Sequence, residues 1–96
     1  MLLDKPVKQG STVSIKLTSG EEILGCYVSE SDTQLVLEKP ATISATPDGK
    51  MGIIPWMMTS RATKISLNMS TVVAFAITED EIAKAYTQST SVIKLA

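Results

Sequence analysis

The feature that most constrains this chain is a glycine, Gly25, set in the middle of an apolar run that reads as a strand over residues 22–28. Glycine inside a strand marks a sharp bend, a bulge or a close approach of backbone. Strand-like runs flank it. Upstream, Val13, Ile15 and Leu17 alternate with Ser14, Lys16 and Thr18, the period of two of a half-buried strand. Thr18, Ser19, Gly20 and Glu21 supply turn residues between the first two strands. Downstream, the polar residues 29–34 separate the bent strand from Leu35, Val36 and Leu37. Three consecutive strands fold back on one another around a glycine hinge, which predicts a small, strongly bent sheet.

The rest of the chain extends that sheet. Residues 1–10 form a short arm broken by Pro6 and ended by Gly10, with no room for a useful helix. The third strand runs on through Pro40 to Ala45, and residues 46–50 (Thr46, Pro47, Asp48, Gly49, Lys50) carry a hairpin turn signal. The returning arm, residues 51–58, is apolar on both strand faces and must be covered, either by the chain's own sheet or by a neighbouring subunit. Trp56 is its natural anchor. Residues 59–63 are polar and end the arm. Ile65, Leu67 and Met69 then alternate with Lys64, Ser66 and Asn68, and a very tight turn leads to the continuous apolar run of residues 72–77. Thr78 with Glu81 has the spacing of a capping box and opens a short helix, with Ile82, Ala85 and Tyr86 on one face. Its pattern dissolves near residues 88–91, leaving residues 92–96 as an apolar, extended tail.

Ninety-six residues make one domain, with a core over residues 10–77 and a helix and tail over 78–96. A chain of this length buries roughly 60–65 % of its unfolded surface, so association with other copies is the natural way to hide more. The formal net charge of −1 gives no long-range pull on phosphate, and non-specific nucleic-acid binding through counterion release is disfavoured. The single cysteine, Cys26, reads as a small buried hydrophobe and fits a reducing cytoplasm. No signal peptide or membrane span is evident, so a cytoplasmic protein with no membrane partner is expected. With no histidine, imidazole catalysis, a Cys-His dyad and histidine-based metal sites are all ruled out; no enzyme activity, cofactor or metal is expected.

The organisation resembles the Sm-like (LSm/Hfq-type) family. The likeness rests on Leu17-x-x-Gly20 followed by Gly25, with Val13 and Ile15 before it and residues 35–37 after it, and on Met69-Ser70-Thr71-Val72-Val73 at the last two strands. It covers residues 10–77. Residues 54–56 and the region of Tyr86, Gln88 and Thr90 are further similar to small Sm-like proteins of tailed phages of marine bacteria, which implies the cytoplasm of a bacterial host.

The resemblance implies a mainly β fold: a strongly bent five-stranded antiparallel Sm-like (SH3-like) barrel, with a long hairpin between strands three and four and a short C-terminal helix. It also implies a homo-oligomeric ring of five to seven subunits that pairs edge strands between copies. Single-stranded RNA would meet the pore through Ser31, Asp32, Thr33 and Gln34 of one loop and Asn68 and Met69 of another. In that reading Gln34 and Asn68 contact base edges, Asp32 holds its loop, and Lys50, Arg61 or Lys64 reaches phosphate. The subunit interface would use Ile53, Ile54, Trp56 and Met57 of the arm with Val72 and Phe75 of the last strand. The family's loop aromatic and its Arg-Gly pair are absent here, which keeps open a second reading, a ring scaffold that engages another protein.

Overall fold

The computed structural model describes residues 7–45 and 47–95, so residues 1–6 of the expected arm, Thr46 of the hairpin turn and Ala96 lie outside the described residues. The described chain forms six strands and one helix: β1 (Thr12–Leu17), β2 (Glu22–Glu30), β3 (Gln34–Ala45), β4 (Met51–Pro55), β5 (Lys64–Asn68), a 3-10 turn (Met69–Thr71), β6 (Val72–Ile77) and α1 (Asp80–Leu95). All strand pairs are antiparallel, in the order β4-β3-β2-β1-β6, with β5 also on β3.

The glycine hinge behaves as its position predicts. Gly25 pairs with Val13 of β1 while the side chain of Leu37 lies directly against it, and a Cβ there would come within 2.9 Å of Leu37 Cδ1. Register slips between Leu24 and Cys26, and again between Tyr27 and Ser29, bend β2 over the core. Inside that bend Val13, Ile15, Leu17, Ile23, Tyr27, Leu35, Leu37, Leu67 and Phe75 pack as one cluster. The rings of Tyr27 and Phe75 stack with centroids 6.5 Å apart.

The returning arm, expected over residues 51–58, is a strand only over Met51–Pro55 (β4), and the strand expected separately around Ile65 and Leu67 is β5. β3 is 12 residues long and kinks at Lys39, whose φ of 50° is left-handed. Before the kink β3 pairs with β5, from Gln34 opposite Asn68 to Glu38 opposite Lys64; after it, β3 pairs with β4, from Ala41 opposite Pro55 to Ala45 opposite Met51. Pro40 and Pro55 both fall at this handover, where neither can donate to the ladder. Residues 56–63 therefore arch away, held at their two feet by Trp56 N–H donating to the Pro40 carbonyl (2.8 Å) and Lys39 N–H donating to the Thr63 carbonyl (3.1 Å). The five expected barrel strands are all present, and the returning arm of the expected hairpin adds β4 as the sixth.

Helix α1 covers the outer side of the kink. Ile82 and Tyr86, four apart on one helical face, join Leu24, Ala41 and Ile53 in a second apolar cluster. The Tyr86 hydroxyl donates to the Lys39 carbonyl at 2.7 Å, with the Glu38 carbonyl at 3.2 Å. Two details differ from the sequence reading. The Thr78 hydroxyl is hydrogen-bonded to the Ser14 hydroxyl (2.8 Å) rather than closing a capping box, and the first helical hydrogen bond runs from Ala83 N–H to the Glu79 carbonyl. The helix also continues through Leu95 where an extended tail was expected, because the polar residues 87–91 are weak helix formers but include neither glycine nor proline. No helix among the described residues is long and apolar enough to cross a membrane.

Candidate functional site

Two turns meet at one end of the sheet. Gln34 stands directly opposite Asn68 in the β3-β5 ladder, and Met69 N–H donates to the Thr33 carbonyl at 2.8 Å, so the turn of residues 31–33 and the 3-10 turn are locked together. The β1-β2 turn joins them through Thr18 N–H, which donates to the Thr71 carbonyl at 2.8 Å. The structure thus brings all six expected loop residues into one patch. Ser31, Asp32, Thr33, Gln34 and Asn68 are exposed; Met69 is half-buried and packs against the core, anchoring its turn.

Ser31, not Asp32, holds the first loop. Its hydroxyl accepts from the N–H groups of Thr33 (3.3 Å) and Gln34 (3.2 Å), and its own N–H donates to the Gln34 carbonyl (2.8 Å). A serine in this role makes the same local turn as an aspartate would. Asp32 accepts no hydrogen bond from a described residue and projects only charge. In the second loop Asn68 Oδ1 accepts from Ser70 N–H (3.1 Å) and the Ser70 hydroxyl (3.0 Å), while the Thr71 hydroxyl donates to the Asn68 carbonyl (2.7 Å). This leaves the Asn68 Nδ2 donors, and the whole Gln34 carboxamide, without a partner among the described residues. Directly paired residues of a ladder hold their Cβ atoms about 5 Å apart. Two unspent amides therefore sit side by side on an exposed surface.

The expected phosphate contacts lie elsewhere. Lys64 is opposite Glu38, at the far end of β5 and about 13 Å along the strand from Asn68; Lys50 lies in the β3-β4 turn and Arg61 in the arch. The cation nearest the patch by register is Lys16, exposed on β1 and next to Leu17, which pairs with Val72 where the 3-10 turn ends. The sequence reading missed it, although its outward place in the alternation of β1 is a signal that could have pointed to it.

Beside the patch, the Tyr27 hydroxyl donates to Glu30 Oε1 at 3.0 Å, and burial, with the Glu30 hydrogen bond and charge, pushes its pKa up. Burial also raises the Cys26 thiol, Glu38 adding to the effect and Lys39 opposing it, so the thiol stays protonated and is a poor nucleophile. Among the described residues no three His, Cys, Asp or Glu side chains gather as a metal site would require.

The expected interface residues divide. Ile54 and Met57 are exposed, and Met58 beside them is 77 % exposed. Ile53, Trp56 and Val72 are half-buried against the subunit's own clusters. Phe75 is only 4 % exposed, because the centre of β6 faces the core, and its ring has almost no surface left to give a neighbour. The backbone around it does. Within the described chain β5 pairs only with β3, and β6 only with β1, so each keeps one open edge.

The family model described as Sm_like domain matches residues 14–87. No curated protein matches the chain.

Proposed function

Since this chain belongs to the Sm-like family, whose domains typically form homo-oligomeric rings and are generally non-enzymatic RNA-binding or scaffold proteins, we propose that it forms such a ring and takes single-stranded RNA on the face formed by its paired turns. In this reading five to seven copies join by laying β6 of one along β5 of the next, which satisfies both open edges. In this reading the ring works in the cytoplasm of a bacterial host, as a phage-encoded member of the family would.

The observation that carries RNA binding is the pairing of Gln34 and Asn68, with their amide groups unspent, on an exposed surface. A primary amide donates and accepts in one plane and matches the N6/N7 edge of adenine in bidentate fashion. Unstacked bases of a single strand present that edge freely. With one cation, Lys16, near each patch, phosphate contacts are few and binding falls only shallowly with salt.

Anisotropy titrations with fluorescent oligo-A and oligo-U at two salt concentrations test the reading. Oligo-A is expected to bind tighter, and Gln34→Ala combined with Asn68→Asp to weaken it at least tenfold. Aspartate keeps the Oδ1 acceptor that caps the 3-10 turn and removes only the outward donors. Normal binding by the double variant would overturn the site. A second reading, a ring scaffold for another protein, is favoured by the placement of Lys50, Arg61 and Lys64 away from the patch; a closed ring that binds neither oligonucleotide would select it.

A further inference from the structure

The arch of residues 56–63 leaves a cavity of about 380 Å³ between itself and the β3 kink, lined by Pro40, Ile53, Pro55, Met57, Met58 and Ile65 among others. Its apolar wall is unfavourable to leave wet, and the largely exposed Met58 sits at its rim.

An apolar side chain of matching position stands at the opposite open edge. Ile77 pairs with Val13, which is fully buried, so Ile77 leaves β6 on the core side of the sheet. It is nevertheless 59 % exposed, because β6 is the last strand in the order. Ile65 likewise leaves β5 on the core side, since its partner is the buried Leu37.

Strand sense and register connect the two. β5 runs toward the paired turns and β6 runs away from them, so copies that present those turns on a common face meet with β6 antiparallel to β5. β6 is bulged between Val72 and Ala74, so the register is counted from the regular part of the strand: if Ala74 of one copy lies opposite Ser66 of the next, the residue numbers sum to a constant from there to the end of β6, and Ile77 falls opposite Thr63. Thr63 lines the cavity. In that register Ile77 also emerges on the same sheet face as Ile65, two residues from Thr63, so the parity of the strands agrees.

We infer that the arch is a socket for Ile77 of a neighbouring copy, a second copy of this chain being the occupant of the cavity. The inference rests on the ring reading. It assigns residues 56–63 to closing the assembly, a task separate from the turns that carry Gln34 and Asn68.

The test begins with native mass spectrometry of the wild-type protein, which establishes the assembly independently of the socket. Ile77→Asp is then expected to weaken that assembly at least tenfold, with Ile77→Val retaining it; Ile77 is exposed within the subunit, so circular dichroism should be unchanged. In a Cys26→Ser background, Ile77→Cys and Met58→Cys chains produced together should oxidise to a covalent dimer, and neither should do so alone. A wild-type ring in which the cysteines do not cross-link overturns the socket while the ring stands. A wild-type monomer overturns both. Should Ile77→Asp fail to fold, the cross-link decides.

Discussion

Gly25 and Leu37 show how one missing side chain sets the curvature of the domain. A Cβ at position 25 would lie 2.9 Å from Leu37 Cδ1, 3.1 Å from its Cβ and 3.3 Å from its Cγ. The Cδ1 contact could be relieved by a rotamer change, but the Cβ contact moves only with the β3 backbone. Gly25→Ala is therefore expected to cost about 1–3 kcal/mol, the usual range for overpacking a filled core, seen as a lower urea midpoint at unchanged slope. Tyr86 acts at a different strained point. Its hydroxyl donates to the carbonyl of Lys39, a residue without glycine's freedom held at positive φ, and so ties helix α1 to the kink in β3. Tyr86→Phe should cost about 1–2 kcal/mol, a buried hydrogen bond together with the carbonyl it leaves unpaired. The pH dependence follows. Burial is the main cause that raises the pKa of Tyr86 in the folded protein, so its contribution is complete below the unfolded tyrosine value of about 10 and declines as pH rises above it, where only the unfolded chain has lost the proton. Tyr86→Phe should flatten that alkaline decline without abolishing it, because the pKa of Tyr27 is raised as well.

At the level of elements, the strands were legible wherever one face is buried. The alternation of β1 and the hinge of β2 follow directly from residue order, and the apolar run of residues 51–58 announced an arm with both faces covered or joined. Its two faces proved unequal: Ile53 and Trp56 pack inward, while Ile54 and Met57 remain outside. That β3 would change partner from β5 to β4 was hidden because it depends on the handover at Lys39 and Pro40, with Pro55 opposite Ala41, a register that strand periodicity does not specify. The length of α1 was hidden because residues 87–91 have no apolar face to mark a helix. At the candidate site, the two loops could be read from their order along the chain, but the direct pairing of Gln34 with Asn68 and the holding role of Ser31 required the ladder. The arch offers the sharpest prediction at this scale. Its feet rest on adjacent residues, Lys39 and Pro40, so Trp56 can be joined to Thr63 through two glycines while both foot hydrogen bonds are kept. Loop closure changes slowly with length, and subunit stability, corrected for any change in assembly, should stay within about 1 kcal/mol of wild type. Assembly measured by native mass spectrometry should weaken, separating the arch's part in association from its part in folding.

For the molecule as a whole, the open edges of β5 and β6 and the exposed apolar side chains of residues 54, 57, 58, 73 and 77 belong to one problem. A domain of this size buries a modest fraction of its surface, and here part of its strongest strand-forming sequence is left at the boundary. With a net charge of −1, long-range repulsion between copies is slight, so nothing electrostatic opposes their approach. In the proposed ring, association that buries those edges becomes part of the stability of the fold, because assembly binds the folded chain and not the unfolded one. The consequence is a melting temperature that depends on protein concentration. Each tenfold increase in concentration raises the stabilisation of an assembled subunit by at most about 1.4 kcal/mol, and a domain of this length shifts by about 4–8 °C per kcal/mol. Calorimetric scans across two decades of concentration should therefore move upward by several degrees per decade, and Ile77→Asp should remove most of that slope. A midpoint that stays fixed over the same range would mean that the subunit carries its stability alone and that its open edges contribute nothing to it.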